Sequence, residues 1–245
     1  QATEKIGILA FAIPLDQSIC DDHVATVKKE IKDSTSKKVN LIVYSAGGDP
    51  YSAVKIVRTL RTKFDQISGI VPSIAMSAAT LMLLGTDQIF MCEESQLGPL
   101  DLPIEHPTDG STISALDMVN TLNQLGSTIS AIAGELFEDM RRYLPNGEKI
   151  SKNEAIKLAL QTATEIVKPI STQIDPYQRQ KAFRKLKIGQ NYAFDLLSKG
   201  MLKKNIYQAL VSARKFVHSF PDHSYAIFRE EARETLKLSV KDSSD

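Results

Sequence analysis

Two rhythms of apolar and polar positions alternate along the first hundred residues. Ile6–Ile13 (IGILAFAI) is an unbroken apolar run with the length of a buried strand. Val24, Val27 and Ile31 then recur at helical spacing, and Val39–Tyr44 (VNLIVY) returns to strand character. The break Ser45-Ala46-Gly47-Gly48-Asp49-Pro50 follows, a stretch no regular element tolerates. Ala53, Ile56, Val57 and Leu60 form the stripe of the next helix. Ile67–Val71 predicts a third strand ending at Pro72. Ser77–Leu84 is apolar on every side, as a buried helix is. Gln88–Met91 predicts a fourth strand, and Leu97–Pro103 an irregular loop.

This alternation predicts a parallel sheet with right-handed crossovers. Beyond residue 110 the helical period takes over, in Ile113–Tyr143, Asn153–Ile170, Tyr177–Lys199 and Asn205–Val217. The expected organisation is an α/β core over residues 1–110 and a helical extension over 111–245 that packs on it. Tyr225–Val240 would supply one more helix and a strand returning to the core.

Composition narrows the class. With 245 residues, 42% hydrophobic and 24% charged, the chain has ample material for a core, and disordered or fibrous classes are excluded. Cys20 and Cys92 make neither a disulfide framework nor a metal site. Two reduced, buried thiols are expected, which fits a cytoplasmic setting. No signal-peptide pattern opens the sequence. The longest apolar run, Gly69–Gly85, holds Pro72, Ser73, Ser77 and Thr80, so no membrane span is expected. The net charge of +1 conceals an asymmetry. Residues 1–140 carry 10 Lys+Arg against 18 Asp+Glu, and residues 141–245 carry 20 against 11. Two such halves would attract each other, within a chain or between copies, or would offer a basic surface to an acidic partner.

Three features fall at the carboxyl ends of predicted strands, where open α/β sheets place ligands. Gly47-Gly48 lets the backbone approach a ligand and present N–H groups to an oxyanion. Ser77 stands at a strand-to-helix turn, where the helix dipole and the Ala78 amide favour developing negative charge. Such a serine is also an ordinary N-cap. The third feature is the loop Leu97-Gly98-Pro99-Leu100-Asp101.

In this order and spacing, the segments SAGGDPYSAVKIVRTLR, VPSIAMSAATLMLLGTDQIF and SQLGPLD resemble the Clp-protease/crotonase superfold. Within it the chain is most similar to the serine dehydrogenase proteinase and signal peptide peptidase A families. The likeness is dense over residues 6–103 and fainter at 174–197 and 223–240. It implies a Clp/crotonase-like parallel core, a nucleophile at Ser77, and an oxyanion hole from the amides of Gly48, Gly47 and Ala78. It implies no cofactor and no metal, a peptide or protein substrate, and a homo-oligomer. Ala46 departs from the family's proline.

The general base also departs. Gly98–Asp101, where Clp proteases carry their histidine, has none. The absence of Lys and Arg from 64 to 140 removes the lysine of the Ser–Lys relatives. The remaining bases are His106, which Asp101 would orient, and His223 in the segment that again resembles the family. Asp101 itself remains, as does a lysine upstream, at Lys149 or beyond, or from a neighbouring subunit. His23 and His218 read as ordinary amphipathic-face residues. The sequence therefore supports a serine peptidase acting through an acyl-enzyme at Ser77. Its alternatives are a catalytically inactive peptide-binding or scaffold protein of the same fold, and an acidic-partner or nucleic-acid binder using the basic helices of 177–204.

Overall fold

The computed structural model describes residues 5–101, 103–105, 110, 112–143 and 150–243. The elements run β1 (Ile6–Ala12), α1 (Asp21–Ile31), β2 (Lys38–Tyr44), α2 (Pro50–Lys63), β3 (Gln66–Val71), β4 (Ile74–Ala75), α3 (Ala78–Leu84), β5 (Gln88–Met91), β6 (Gln96–Leu97) and β7 (Pro103–Glu105). Then come β8 (Thr112–Ser114), α4 (Ala115–Tyr143), α5 (Lys152–Ser171), α6 (Pro176–Lys199), α7 (Ile206–His218), α8 (Arg229–Glu234) and β9 (Val240–Asp242). Residues 1–104 and 184–245 form one compact unit and residues 105–183 a second.

The first unit is built on a five-stranded sheet of order β1-β2-β3-β5-β9, parallel throughout. The four strands expected from apolar runs all lie in it, and β9 extends it beside β5. Its two faces differ. Val39, Leu41, Val43, Ile67, Val71, Ile89 and Met91 are buried, as a strand with helices packed over it requires. On the opposite face Asn40, Ile42, Ile70 and Phe90 are half-buried. Ile6 and Ile8 of the edge strand are 55% and 74% exposed. The unbroken run Ile6–Ile13 thus does not mark a strand covered on both sides. An edge position with one open face leaves alternate side chains in solvent whatever their hydropathy.

Helix α2 begins where the sequence breaks. Asp49 is its N-cap, its carboxylate accepting from the amides of Tyr51 and Ser52, and Pro50 takes the first helical position. Its far end is tied down by Arg61. The guanidinium donates to the Gly85 carbonyl from Nε at 3.1 Å and Nη2 at 2.8 Å. Its Nη1 donates to Asp87 Oδ2 at 2.8 Å, and the same oxygen accepts from the Ile67 amide. Burial alone would raise the Asp87 carboxyl. The donors from Arg61 and Ile67 outweigh it and hold the group below its ordinary value. One side chain thus joins the end of α2, the end of α3 and the start of β3.

In the second unit α4 and α5 pack along Ala133, Ala159 and Ala163. These small residues permit close approach, and Ile129, Ile132, Leu136 and Phe137 flank the seam. A Ser151–Glu154 capping box starts α5. Among the described residues no helix is long and apolar enough to cross a membrane. Both cysteines are free, but neither is buried as expected. Cys20 is exposed and Cys92 half-buried. Cys20 precedes the acidic first turn of α1, where its sulfur lies 3.2 Å from His23 Nδ1.

Candidate active site

Ser77 does not follow the third strand directly. The chain breaks at Pro72-Ser73 and forms the two-residue strand β4, which pairs with β6 and bridges to Ser45. Ser77 then stands between β4 and α3 with φ +50° and ψ −115°, a conformation L-residues rarely adopt. It makes no side-chain cap to α3, so the ordinary N-cap role is not the one it plays. The residue is 6% exposed, and its hydroxyl has no hydrogen bond among the described residues. Ala78 begins the buried helix α3, and its amide is among those a helix leaves without an intrahelical partner. Behind the turn, Thr80 Oγ1 lies 2.7 Å from the Ala75 carbonyl and 3.0 Å from both the carbonyl and the amide of Gly98. It fixes the Leu97–Asp101 loop to the serine turn, a role the sequence did not signal.

The glycine turn after β2 is built to touch this serine. Gly47 has φ +111° and Gly48 φ +141°, both strained for a residue with a side chain. A methyl group on Gly47 would lie 2.8 Å from the Met76 carbonyl, 3.0 Å from Ser77 Cβ and 3.2 Å from the Ala78 nitrogen. One on Gly48 would lie 2.2 Å from the Ile19 nitrogen. Ile19 clamps the turn from outside, donating to the Gly47 carbonyl and accepting from the Asp49 amide, each at 2.8 Å. The two glycines are not equivalent. The Gly47 amide donates to Ser45 Oγ at 3.0 Å and is spent on the turn itself. The Gly48 amide has no partner among the described residues. Of the three expected oxyanion donors, Gly48 and Ala78 are therefore free to act, and Gly47 serves as the spacer between them.

Ser77 and Gly48 line one cleft of about 560 Å³ within the first unit, together with Asp49, Tyr51, Lys185, Ile188, Tyr192 and His223. His223 is thus brought to the serine from 146 positions further along the chain. Its Nδ1 is buried with no hydrogen-bond partner. Asp101 is buried, and the imidazole its charge reaches is that of His218. Burial, aided by Arg214, holds His218 below its ordinary value, while Asp101 pulls the other way. His218 is not among the residues lining the cleft. His106 and Lys149 lie outside the described residues. Lys185, which belongs to the basic stripe of 177–204 and to the lysines beyond Lys149 left open as a base, lines the cleft and donates to the Pro103 carbonyl at 3.2 Å. The helical spacing of Lys185, Ile188 and Tyr192 was visible in advance. That this face of α6 would meet the serine was not.

Over 115 residues the chain is 30% identical to the uncharacterized protein MJ0137 of Methanocaldococcus jannaschii. That stretch is 46% of this chain and 40% of the relative, so the chain matches well under half of that protein's length. Two solved structures of the 1510-N membrane-bound stomatin-specific protease also align, both of mutants and one in complex with a substrate peptide. They share 14% and 16% identity and cover 65% of this chain and 79% and 74% of theirs, with TM-scores of 0.41 and 0.40. That likeness is too distant to bear on the site. The sequence over residues 1–164 matches one family throughout the glycine turn and the serine turn, and the chain belongs to the ClpP-like SDH-type serine proteinases.

Proposed function

We propose that the protein is a serine peptidase whose nucleophile is Ser77. The observation that carries this reading is the strained serine at the start of α3, in one cleft with a free glycine amide and an imidazole. Ser77 Oγ attacks the scissile carbonyl, and its proton passes to His223. The tetrahedral oxygen is held by the Gly48 and Ala78 amides. His223 then returns the proton to the departing amine, leaving an ester at Ser77 that water cleaves. The helix dipole of α3 favours the same negative charge, although a seven-residue helix contributes modestly. With Nδ1 buried, Nε2 is the nitrogen assigned to proton transfer. Self-association and a peptide substrate, both implied by the resemblance, belong to the same proposal.

Labelling with a fluorophosphonate tests it, followed by mapping of the adduct. A single adduct on Ser77, lost in Ser77→Ala and strongly reduced in His223→Gln, is expected. Cleavage of peptide without labelling at Ser77 would overturn the mechanism. Peptide binding with neither cleavage nor labelling would establish the inactive peptide-binding protein instead.

A further inference from the structure

The cleft holds a positive charge that no carboxylate among the described residues neutralises. Lys185 projects from α6 on the same face as Ile188 and Tyr192, three and seven positions on, and all three line the cleft with Ser77. Its ammonium spends one of three donors on the Pro103 carbonyl. Its neighbours on the helix, Arg184 and Lys187, are basic too. The acidic side chain of the cleft is Asp49, and its carboxylate is already occupied. Asp49 accepts from Tyr51 N at 3.4 Å, from Ser52 N at 2.7 Å and from Ser52 Oγ at 2.6 Å. Among the described residues no carboxylate lies within ion-pair distance of Lys185.

A half-buried ammonium with free donors, flanked by an isoleucine and a tyrosine, binds an anion more strongly than one in open water, because the apolar walls reduce screening. We infer that Lys185 is a carboxylate subsite, and that the preferred peptides present a carboxylate close to the bond held at Ser77. This deepens the peptidase reading and rests on the cleft being a peptide site. The carboxylate has two sources, the end of a chain or an Asp or Glu side chain, and both satisfy the same ammonium.

The test uses the full chain carrying Ser77→Ala, so that binding is read without turnover. Three acetylated hexapeptides of one apolar sequence are titrated by calorimetry. The first has a free terminal carboxylate, the second a terminal amide, and the third a terminal amide with one internal Asp. A charge-assisted hydrogen bond predicts at least roughly tenfold tighter binding of a charged peptide over the neutral amide. Preference for the first assigns the subsite to chain ends, and preference for the third to acidic side chains. Adding Lys185→Met should bring the ratio to about one, and Lys185→Arg should restore most of it. Equal binding of all three, no binding of any at about 1 mM, or a preference that survives Lys185→Met overturns the subsite. Fluorophosphonate labelling of the unmutated chain is scored separately. Failure there removes the peptidase and leaves the binding ratios standing.

Discussion

At the scale of single residues the site is governed by backbone conformations that side chains oppose. Ser77 holds φ +50° and ψ −115° with a β-carbon in place. Such strain costs about 1–3 kcal/mol and persists because the surrounding contacts fix it. Ser77→Gly should therefore raise the free energy of unfolding by about 1–2 kcal/mol, read by urea titration, while abolishing acylation. Ser77→Ala should abolish acylation too and leave the melting temperature nearly unchanged. A loss of stability in the glycine variant would show that the hydroxyl, not the strain, holds the turn. Gly48→Ala should act oppositely. Its methyl meets the Ile19 backbone at 2.2 Å, and destabilisation of about 3 kcal/mol is expected alongside loss of activity. Unchanged stability there would require the Ile19 strap to move. The glycine and serine turns were legible in the sequence because Gly-Gly and a serine among small residues are local signals. The donation from Gly47 to Ser45 Oγ was not legible, since nothing in Ser45-Ala46-Gly47-Gly48 distinguishes a spent amide from a free one.

At the scale of elements the core strands were readable for a simple reason. Covered strands must be apolar, and β2, β3 and β5 show it. The same rule misread β1, which is apolar yet open on one face. It also missed β4 and β6, whose two-residue pairing has no periodicity to detect. What binds neighbouring elements is polar and equally invisible beforehand, Arg61 and Asp87 above all. Asp87 has a lower pKa in the folded protein than in the unfolded chain. Its stabilising contribution is complete above the ordinary carboxylate value of about 4 and is lost as pH falls through the depressed folded value. Asp87→Asn should cost about 1–3 kcal/mol at neutral pH. The gap to the parent protein should close as chemical denaturation is repeated towards about pH 2. A gap of constant size at every pH would mean that the amide replaces the carboxylate in packing only.

At the scale of the molecule, the charge asymmetry along the sequence largely disappears in space. The first compact unit carries 22 Lys+Arg and 19 Asp+Glu, and the second carries 8 and 10. Early acidic residues meet late basic ones inside the first unit, as Asp87 does Lys203, and Arg58 pairs with Asp195 in the reverse sense. Part of the attraction foreseen between halves is thus met within the chain, and the electrostatic reason for contact between copies is weaker for it. The sedimentation coefficient at micromolar concentration should accordingly stay constant as NaCl rises from about 0.05 to 1 M. A clear fall over that interval would restore the charge-driven contact. The imidazole in the cleft could not be found by counting residues from the serine, because His223 reaches it through the fold rather than along the chain.

That long return has a consequence during synthesis. The proposed nucleophile and its amides belong to the first hundred residues, whereas His223 and the strand Val240–Asp242 beside β5 are translated much later. At about 5–20 residues per second, the ribosome needs roughly 7–30 s to travel from codon 77 to codon 223. Throughout that interval a nascent chain displays Ser77 without the imidazole proposed as its proton acceptor, and for most of it without the α6 wall of the cleft. On the proposed mechanism, the order of the polypeptide delays hydrolytic competence until the late segments have emerged, and an unfinished chain is poorly placed to cut itself or its neighbours on the polysome.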